Sequence, residues 1–298
     1  MIGKLGIGTA VLVACGSAYL ASPAQAEVIP ASTGFVTMTS DPGDFVGQGR
    51  SYSYSVPATA FSVQNGGNLV RVDTSGPGGP ADFWNFAFQA PAGQQLQAGT
   101  TYQAQRWPFQ LSSLAGLEVF GQGRGCNTLT GSFTIVSIVY GPFGYLESFD
   151  ATFEQHCEGA TAALRGEVSF GTPTPPPALS LMIAANATGS VTHAGSVTLQ
   201  GTVSCTQPVT VAISGAATQI PHPKKTATAQ FTTSSSCTPA GGGTWQVTLN
   251  SATGTAFGTG AVGVSLQAQA TDPFYSAFTG TTITAQTSAS SRVTLQRG

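Results

Sequence analysis

Residues Phe133 to Cys157 read FTIVSIVYGPFGYLESFDATFEQHC, two alternating runs on either side of a Gly141-Pro142-Phe143-Gly144 turn. Apolar and polar side chains that alternate with period two mark a half-buried strand, and Gly-Pro punctuation between two such runs marks a hairpin. On the second run Phe149, Ala151, Phe153 and Cys157 share one face, the core side, while Asp150, Thr152, Glu154 and His156 take the other. Counting outward from the turn brings Cys126 almost opposite Cys157 at the open end, with a small bulge absorbing the mismatch. Neighbours of that kind are close enough to form a disulfide.

The same alternation extends in both directions. Ser51 to Val56, Leu69 to Val72 and Phe83 to Phe88 read as further strands, separated by turn signals at Pro42-Gly43, Gly66-Gly67 and Gly76 to Pro80. Trp84, Phe86 and Phe88 read as core. Beyond a proline run at Thr172 to Pro177, Val197 to Cys205 alternates with Val197, Leu199, Val203 and Cys205 inward. Strands are also expected within Val209 to Ile213, Thr226 to Phe231, Trp245 to Leu249, Ala261 to Ala270 and Thr282 to Leu295. The fold class is all-β, with two antiparallel β-sandwich domains, residues 27–171 and 178–298, joined by an extended, poorly packed linker at 172–177. Six or seven strands in the second domain suit an immunoglobulin-like sandwich. Cys205 and Cys237 fall together in that domain, so the expected disulfides are Cys126 to Cys157 and Cys205 to Cys237, one of three possible pairings. Cys237 sits in Ser234 to Gly243 (SSSCTPAGGG), which reads as a loop and points to a peripheral clasp.

The chain has 298 residues, of which only 7% are charged, and a formal net charge of −2. No field of either sign exists to steer nucleic acid or anionic lipid, so a nucleic-acid role is disfavoured. Residues 1–26 read as an export signal: Lys4, an apolar run from Leu5 to Ala14, and Ala24-Gln25-Ala26 before Glu27. A competing reading takes Leu12-Val13-Ala14-Cys15 as a lipobox, with Cys15 lipidated. No later stretch is apolar enough for a membrane-spanning helix. An even set of four cysteines beyond the leader suits an oxidising compartment, so the chain is expected to be secreted, periplasmic or at the cell surface.

Gly123-Arg124-Gly125-Cys126-Asn127-Thr128-Leu129-Thr130-Gly131, Phe153-Glu154-Gln155-His156-Cys157-Glu158-Gly159 and Ala163-Leu164-Arg165-Gly166 carry a resemblance, together with Asp41 to Gly47 and Arg106-Trp107-Pro108-Phe109. The first domain resembles an N-terminal module of secreted bacterial proteins that often precedes immunoglobulin-like repeats. The resemblance implies a secreted β-module and supplies no active site. Cys205, Cys237, Trp245 and Phe257 to Val262 make the second domain similar to secreted immunoglobulin-like domains of actinobacteria.

Glu154 and His156, two apart on one strand, could hold a metal or polar ligand, with Asn127 brought close by the hairpin; zinc needs three or four good ligands, and Asn is a poor third. Asp41 and Asp44 could offer oxygens to calcium, but Asp-Pro-Gly is first of all a turn. No G-x-S-x-G elbow accompanies the three histidines, and the scattered carboxylates Glu118, Glu147, Asp150, Glu154, Glu158 and Glu167 read as solvated strand surface. Tyr52, Tyr54 and Trp107 are candidate stacking planes for a sugar. The expectation is a non-catalytic exported module, without cofactor, that binds a cell-envelope or extracellular partner. A carbohydrate-binding module using exposed aromatics is the alternative, and a glycoside-active or other hydrolase comes third.

Overall fold

The computed structural model describes residues 28–79, 81–222 and 225–298. The leader, the Ala24–Ala26 cleavage site and Cys15 lie outside the described residues.

Eleven strands make up the first half: β1 (Ile29–Pro30), β2 (Thr33–Ser40), β3 (Ser51–Ser55), β4 (Ala60–Gly66), β5 (Leu69–Ser75), β6 (Phe83–Gln89), β7 (Thr101–Arg106), β8 (Ala115–Gly121), β9 (Leu129–Tyr140), β10 (Leu146–Cys157) and β11 (Leu164–Gly171). They form one sheet in the order β1-β4-β5-β6-β8-β7-β9-β10-β11-β2-β3, antiparallel except for β7 with β8. The sheet folds over on itself. Phe88 on β6 meets Phe149 on β10 at 5.4 Å although their strands are not neighbours, and Phe86 meets Phe153 at 6.1 Å. Trp84, Phe86 and Phe88 are fully buried between the layers, as the alternation requires.

The β9–β10 hairpin has the expected faces: Phe149, Ala151, Phe153 and Cys157 are buried. A register shift falls between Asp150 and Ala151, and Cys157 pairs with Leu129. Cys126 reaches Cys157, Cα to Cα 5.0 Å, because the chain turns at Asn127 and Thr128, just before β9 begins at Leu129. The carboxylate of Glu158 holds that turn by accepting from the Asn127 and Thr128 amides.

The second half contains β12 (Leu181–Ala185), β13 (Thr188–Val191), β14 (Val197–Cys205), β15 (Val209–His222), β16 (Lys225–Cys237), β17 (Gly243–Leu249), β18 (Gly260–Thr271), α1 (Pro273–Thr279) and β19 (Thr284–Arg297). The order is β12-β14-β13-β19-β18-β15-β16, with β17 on β14. Trp245 of β17 stacks on Phe231 of β16 across the core at 5.9 Å. Cys237 lies on a strand rather than in a loop: β16 continues through Ser234 to Ser236 because β15 pairs with it as far as Val209 opposite Cys237. The Cys205–Cys237 bond therefore ties together the ends of two strands, β14 and β16.

Thr172 to Pro177 is extended, yet it is well held. Prolines lack an N–H but keep a carbonyl that needs a donor. Tyr145 Oη donates to Pro173 O at 2.9 Å, Tyr275 Oη to Pro176 O at 2.7 Å, and Gln207 Nε2 to Pro177 O at 2.8 Å. Ile29, Tyr145, Tyr275 and Phe278 form a small buried cluster of their own, joined by Phe274 and by Phe143, whose ring is 4.9 Å from that of Tyr275. This joint brings the β9–β10 turn against α1. The helix starts where Asp272 Oδ1 accepts from Tyr275 N and stops at Gly280, whose φ of 65° suits glycine.

Candidate functional site

Pairing of β10 with β11 sets Glu154 opposite Arg165, and pairing of β11 with β2 carries Arg165 towards Asp41. Glu154 Oε2 accepts from Arg165 Nε at 2.7 Å, and its Oε1 lies 2.9 Å from His156 Nε2. Arg165 NH1 also donates to both oxygens of Asp41, at 3.0 and 2.9 Å. The Arg165 guanidinium holds the Asp41 and Glu154 carboxyls below the usual carboxylate range, helped by the Ala163 amide at Asp41 and by His156 at Glu154. Both oxygens of Glu154 are thus engaged. Asn127 does not join this cluster, because the strand partner of His156 is Thr130. Asp44 is buried and caps its own turn, accepting from Gly47 N at 2.6 Å and Ser40 Oγ at 2.8 Å. No group of three or more His, Cys, Asp or Glu among the described residues is placed to hold a metal ion.

Tyr52 and Tyr54 share a face, as their spacing requires, and that face packs inward. The Tyr52 ring meets Trp84 edge-on at 4.8 Å. Tyr54 Oη donates to Asp82 Oδ1 at 2.7 Å and accepts from Trp84 Nε1 at 3.1 Å. Burial first, and then the Asp82 carboxylate, push the Tyr54 phenol up to about 12. These two rings serve the core's edge and offer no flat platform.

Trp107 and Asn127 do come together. They line one cleft of about 360 Å³ with Arg106, Pro108, Glu118, Phe120 and the Gly125–Cys126 backbone. Two constraints build it. Parallel pairing of β7 and β8 sets Arg106 beside Leu117, so the neighbouring Glu118 comes within reach. The Cys126–Cys157 bond fixes the opposite wall. Arg106 Nε donates to Glu118 Oε2 at 3.2 Å and NH1 to Asn127 O at 3.0 Å, while its guanidinium lies over the Phe109 ring at 4.9 Å. Glu118 is only 5% exposed, and burial raises its carboxyl above the ordinary value against the opposing pull of Arg106. Among the described residues no donor reaches its second oxygen, Oε1. A Cβ on Gly125 would stand 3.2 Å from Phe120 Cβ and 3.6 Å from that oxygen, so glycine keeps this wall open. Phe109, 73% exposed, sets an apolar ring against the Arg106 guanidinium at the cleft's edge.

Glu118 is the residue that sequence reasoning left among the surface carboxylates. Its alternation partners Leu117 and Val119 are also buried, so β8 shows no period-two signal. An uninterrupted buried strand of that kind hides a buried carboxylate from pattern reading. No helix among the described residues is long and apolar enough to cross a membrane. Comparison of the chain with protein-family models, with curated proteins and with solved structures finds no match.

Proposed function

We propose that this chain is an exported, non-catalytic binding module that engages an extracellular or cell-envelope partner at the Trp107–Glu118 cleft, its second half being an immunoglobulin-like spacer. The observation that carries this reading is the cleft's make-up: the Trp107 and Phe120 side chains line a cleft with a buried carboxylate that keeps one open oxygen, next to a guanidinium held over the exposed Phe109 ring. Aromatic and arginine side chains around a desolvated centre are the composition of binding hot spots. A non-catalytic role is supported by Glu154 and Asp41, which are tied to Arg165, and by Glu158, which is tied to backbone amides. A second reading, a carbohydrate ligand, is favoured by the Trp107 ring beside a paired donor and acceptor, since sugars offer a C–H face and adjacent hydroxyls together.

The test is a glycan array, run alongside binding to isolated envelope polymers, with the mature protein and the Trp107→Ala and Phe109→Ala variants. Binding that weakens by about 30-fold or more in either variant is expected, as for a hot-spot residue worth about 2 kcal/mol. Retention of full binding by both variants would remove the cleft from the reading, and turnover of any bound glycan would remove the non-catalytic assignment.

A further inference from the structure

Glu118 lies in the Trp107 cleft with a side chain only 7% exposed. Its Oε2 is taken by Arg106 Nε, while Oε1 has no hydrogen-bond partner among the described residues. That oxygen is not sealed. Asn65 Oδ1 and Asp150 Oδ1 are shut off from solvent without a partner, and Glu118 Oε1 is not one of that set. A buried acceptor that stays within reach calls for a donor from outside the chain.

The surroundings decide the charge of that donor. Arg106 cannot supply it, because its Nε and NH1 are spent on Glu118 Oε2 and Asn127 O and its face on the Phe109 ring. Arg124, on the adjoining turn, is held by Val46 O at 2.8 Å. Glu158 brings a second carboxylate near Arg106: the Asn127 and Thr128 amides, then the Thr128 hydroxyl, hold it below the usual carboxylate range, and Arg106 adds a smaller pull. Two carboxylates thus share one guanidinium, so a cation completes the balance and an anion would be repelled. Glu154 displays the completed form in the same half, with Arg165 at one of its oxygens at 2.7 Å and His156 at the other at 2.9 Å.

Shape decides which cation. A single open oxygen inside a cleft of about 360 Å³ has to be reached by a slender stem. Gly125 leaves the room for it, since a Cβ there would come 3.6 Å from Oε1. Trp107 and Phe120 line the approach, and a lysine stem can lie along such rings with its ammonium beyond them. Arginine's planar fork wants two acceptor oxygens side by side and finds one, whereas an ammonium can turn any of its donors to it. Resting on the cleft as the binding site, we infer that the partner is a polypeptide anchored by one lysine side chain, whose ammonium donates to Glu118 Oε1 and whose methylenes lie along Trp107 and Phe120. Asn127, exposed at the edge, offers a side-chain carbonyl to the same ammonium. An amino group set directly on a sugar ring would be stopped at the edge, short of the buried oxygen.

Amide NMR of the full chain tests this, with the Gly125 and Asn127 signals as reporters. Nα-acetyl-lysine methylamide is expected to shift both in a saturable way, and its norleucine and arginine counterparts and glucosamine are expected to bind at least about tenfold more weakly. Glu118→Gln keeps the shape and removes the charge; Gly125→Ala keeps the charge and narrows the approach. Each is expected to weaken binding of the lysine probe about tenfold, and the spectrum of each variant reports its fold directly. Absence of a saturable shift, equal or tighter binding of the norleucine or arginine probe, or binding that survives both Glu118→Gln and Gly125→Ala would overturn the inference. Tighter binding of glucosamine would overturn it too, by giving the ammonium to a sugar. Polymer or glycan binding that weakens in Trp107→Ala while the lysine probe stays silent would remove the lysine anchor and leave the cleft reading standing; no binding of any kind at the cleft would remove both.

Discussion

Gln155 behaves inside the first half as a piece of backbone. It is fully buried, and its side-chain amide accepts from Val119 N at 3.0 Å and donates to Val119 O at 2.8 Å, satisfying a stretch of β8 that β7 has already left. Replacing Gln155 by Leu would strand both groups, and a loss of about 2 to 4 kcal/mol in urea unfolding is the expected result. Gly131 closes the GRGCNTLTG stretch for a steric reason: a Cβ there would overlap Glu154 O on the paired strand. Gly131→Ala is therefore expected to cost about 2 to 3 kcal/mol in the same assay. The titration behaviour of the first half divides by sign. Glu154 and Asp41, lowered by Arg165, contribute stability that is present above their unfolded values of about 4 and is lost as pH falls through their folded values. Glu118 and Asp150, raised by burial, take up protons more readily folded than unfolded, so they add stability as pH falls from neutrality. Thermal melts are expected to show stability rising slightly towards pH 5 and dropping below about pH 4, with Glu154→Gln flattening the drop and Glu118→Gln the rise. The sequence made residue parity legible at Phe149 and at Tyr52; it could not say that the tyrosine face belongs to Trp84, because alternation gives two faces and no label.

At the scale of elements, legibility followed length and contrast. The β9–β10 hairpin and β14 alternate over many residues and were readable, β14 to the residue and β9 from Phe133 rather than Leu129, and the turn arithmetic led to the Cys126–Cys157 bond. β15 and β16 run well past their apolar cores into Thr, Ser and Gln, and only their pairing with each other shows where they end. Helix α1 is seven residues long, too short for periodicity, although Asp272, Pro273 and Gly280 stand at its cap, first and closing positions. The two disulfides belong to this scale because each closes a loop of about thirty residues within one half. Loss of Cys126 and Cys157 together to Ser is expected to cost about 3 to 4 kcal/mol, confined to the first half, and non-reducing peptide mapping should recover both bonds with none between halves.

At the scale of the molecule, two large cores are joined by a small third one. Each large core closes within its own half, so each half is expected to fold alone when expressed separately. The joint couples them, and calorimetry of the whole chain is expected to show one transition. Tyr275→Ala or Phe278→Ala, each removing a buried ring from the joint at a cost of about 3 kcal/mol, is expected to split that transition in two. None of this coupling was readable beforehand. A proline-rich stretch looks like a free spacer until the Tyr145, Tyr275 and Gln207 donors that hold its carbonyls are placed beside it. The joint also sets a timetable. Ile29, at the start of the described chain, is buried in the same cluster as Tyr275 and Phe278, close to the end. A chain delivered from its N-terminus completes that cluster only after all the residues between Ile29 and Phe278 have emerged. Until then Ile29 and Tyr145 stay uncovered, and a protease has its best opportunity in the interval before α1 arrives.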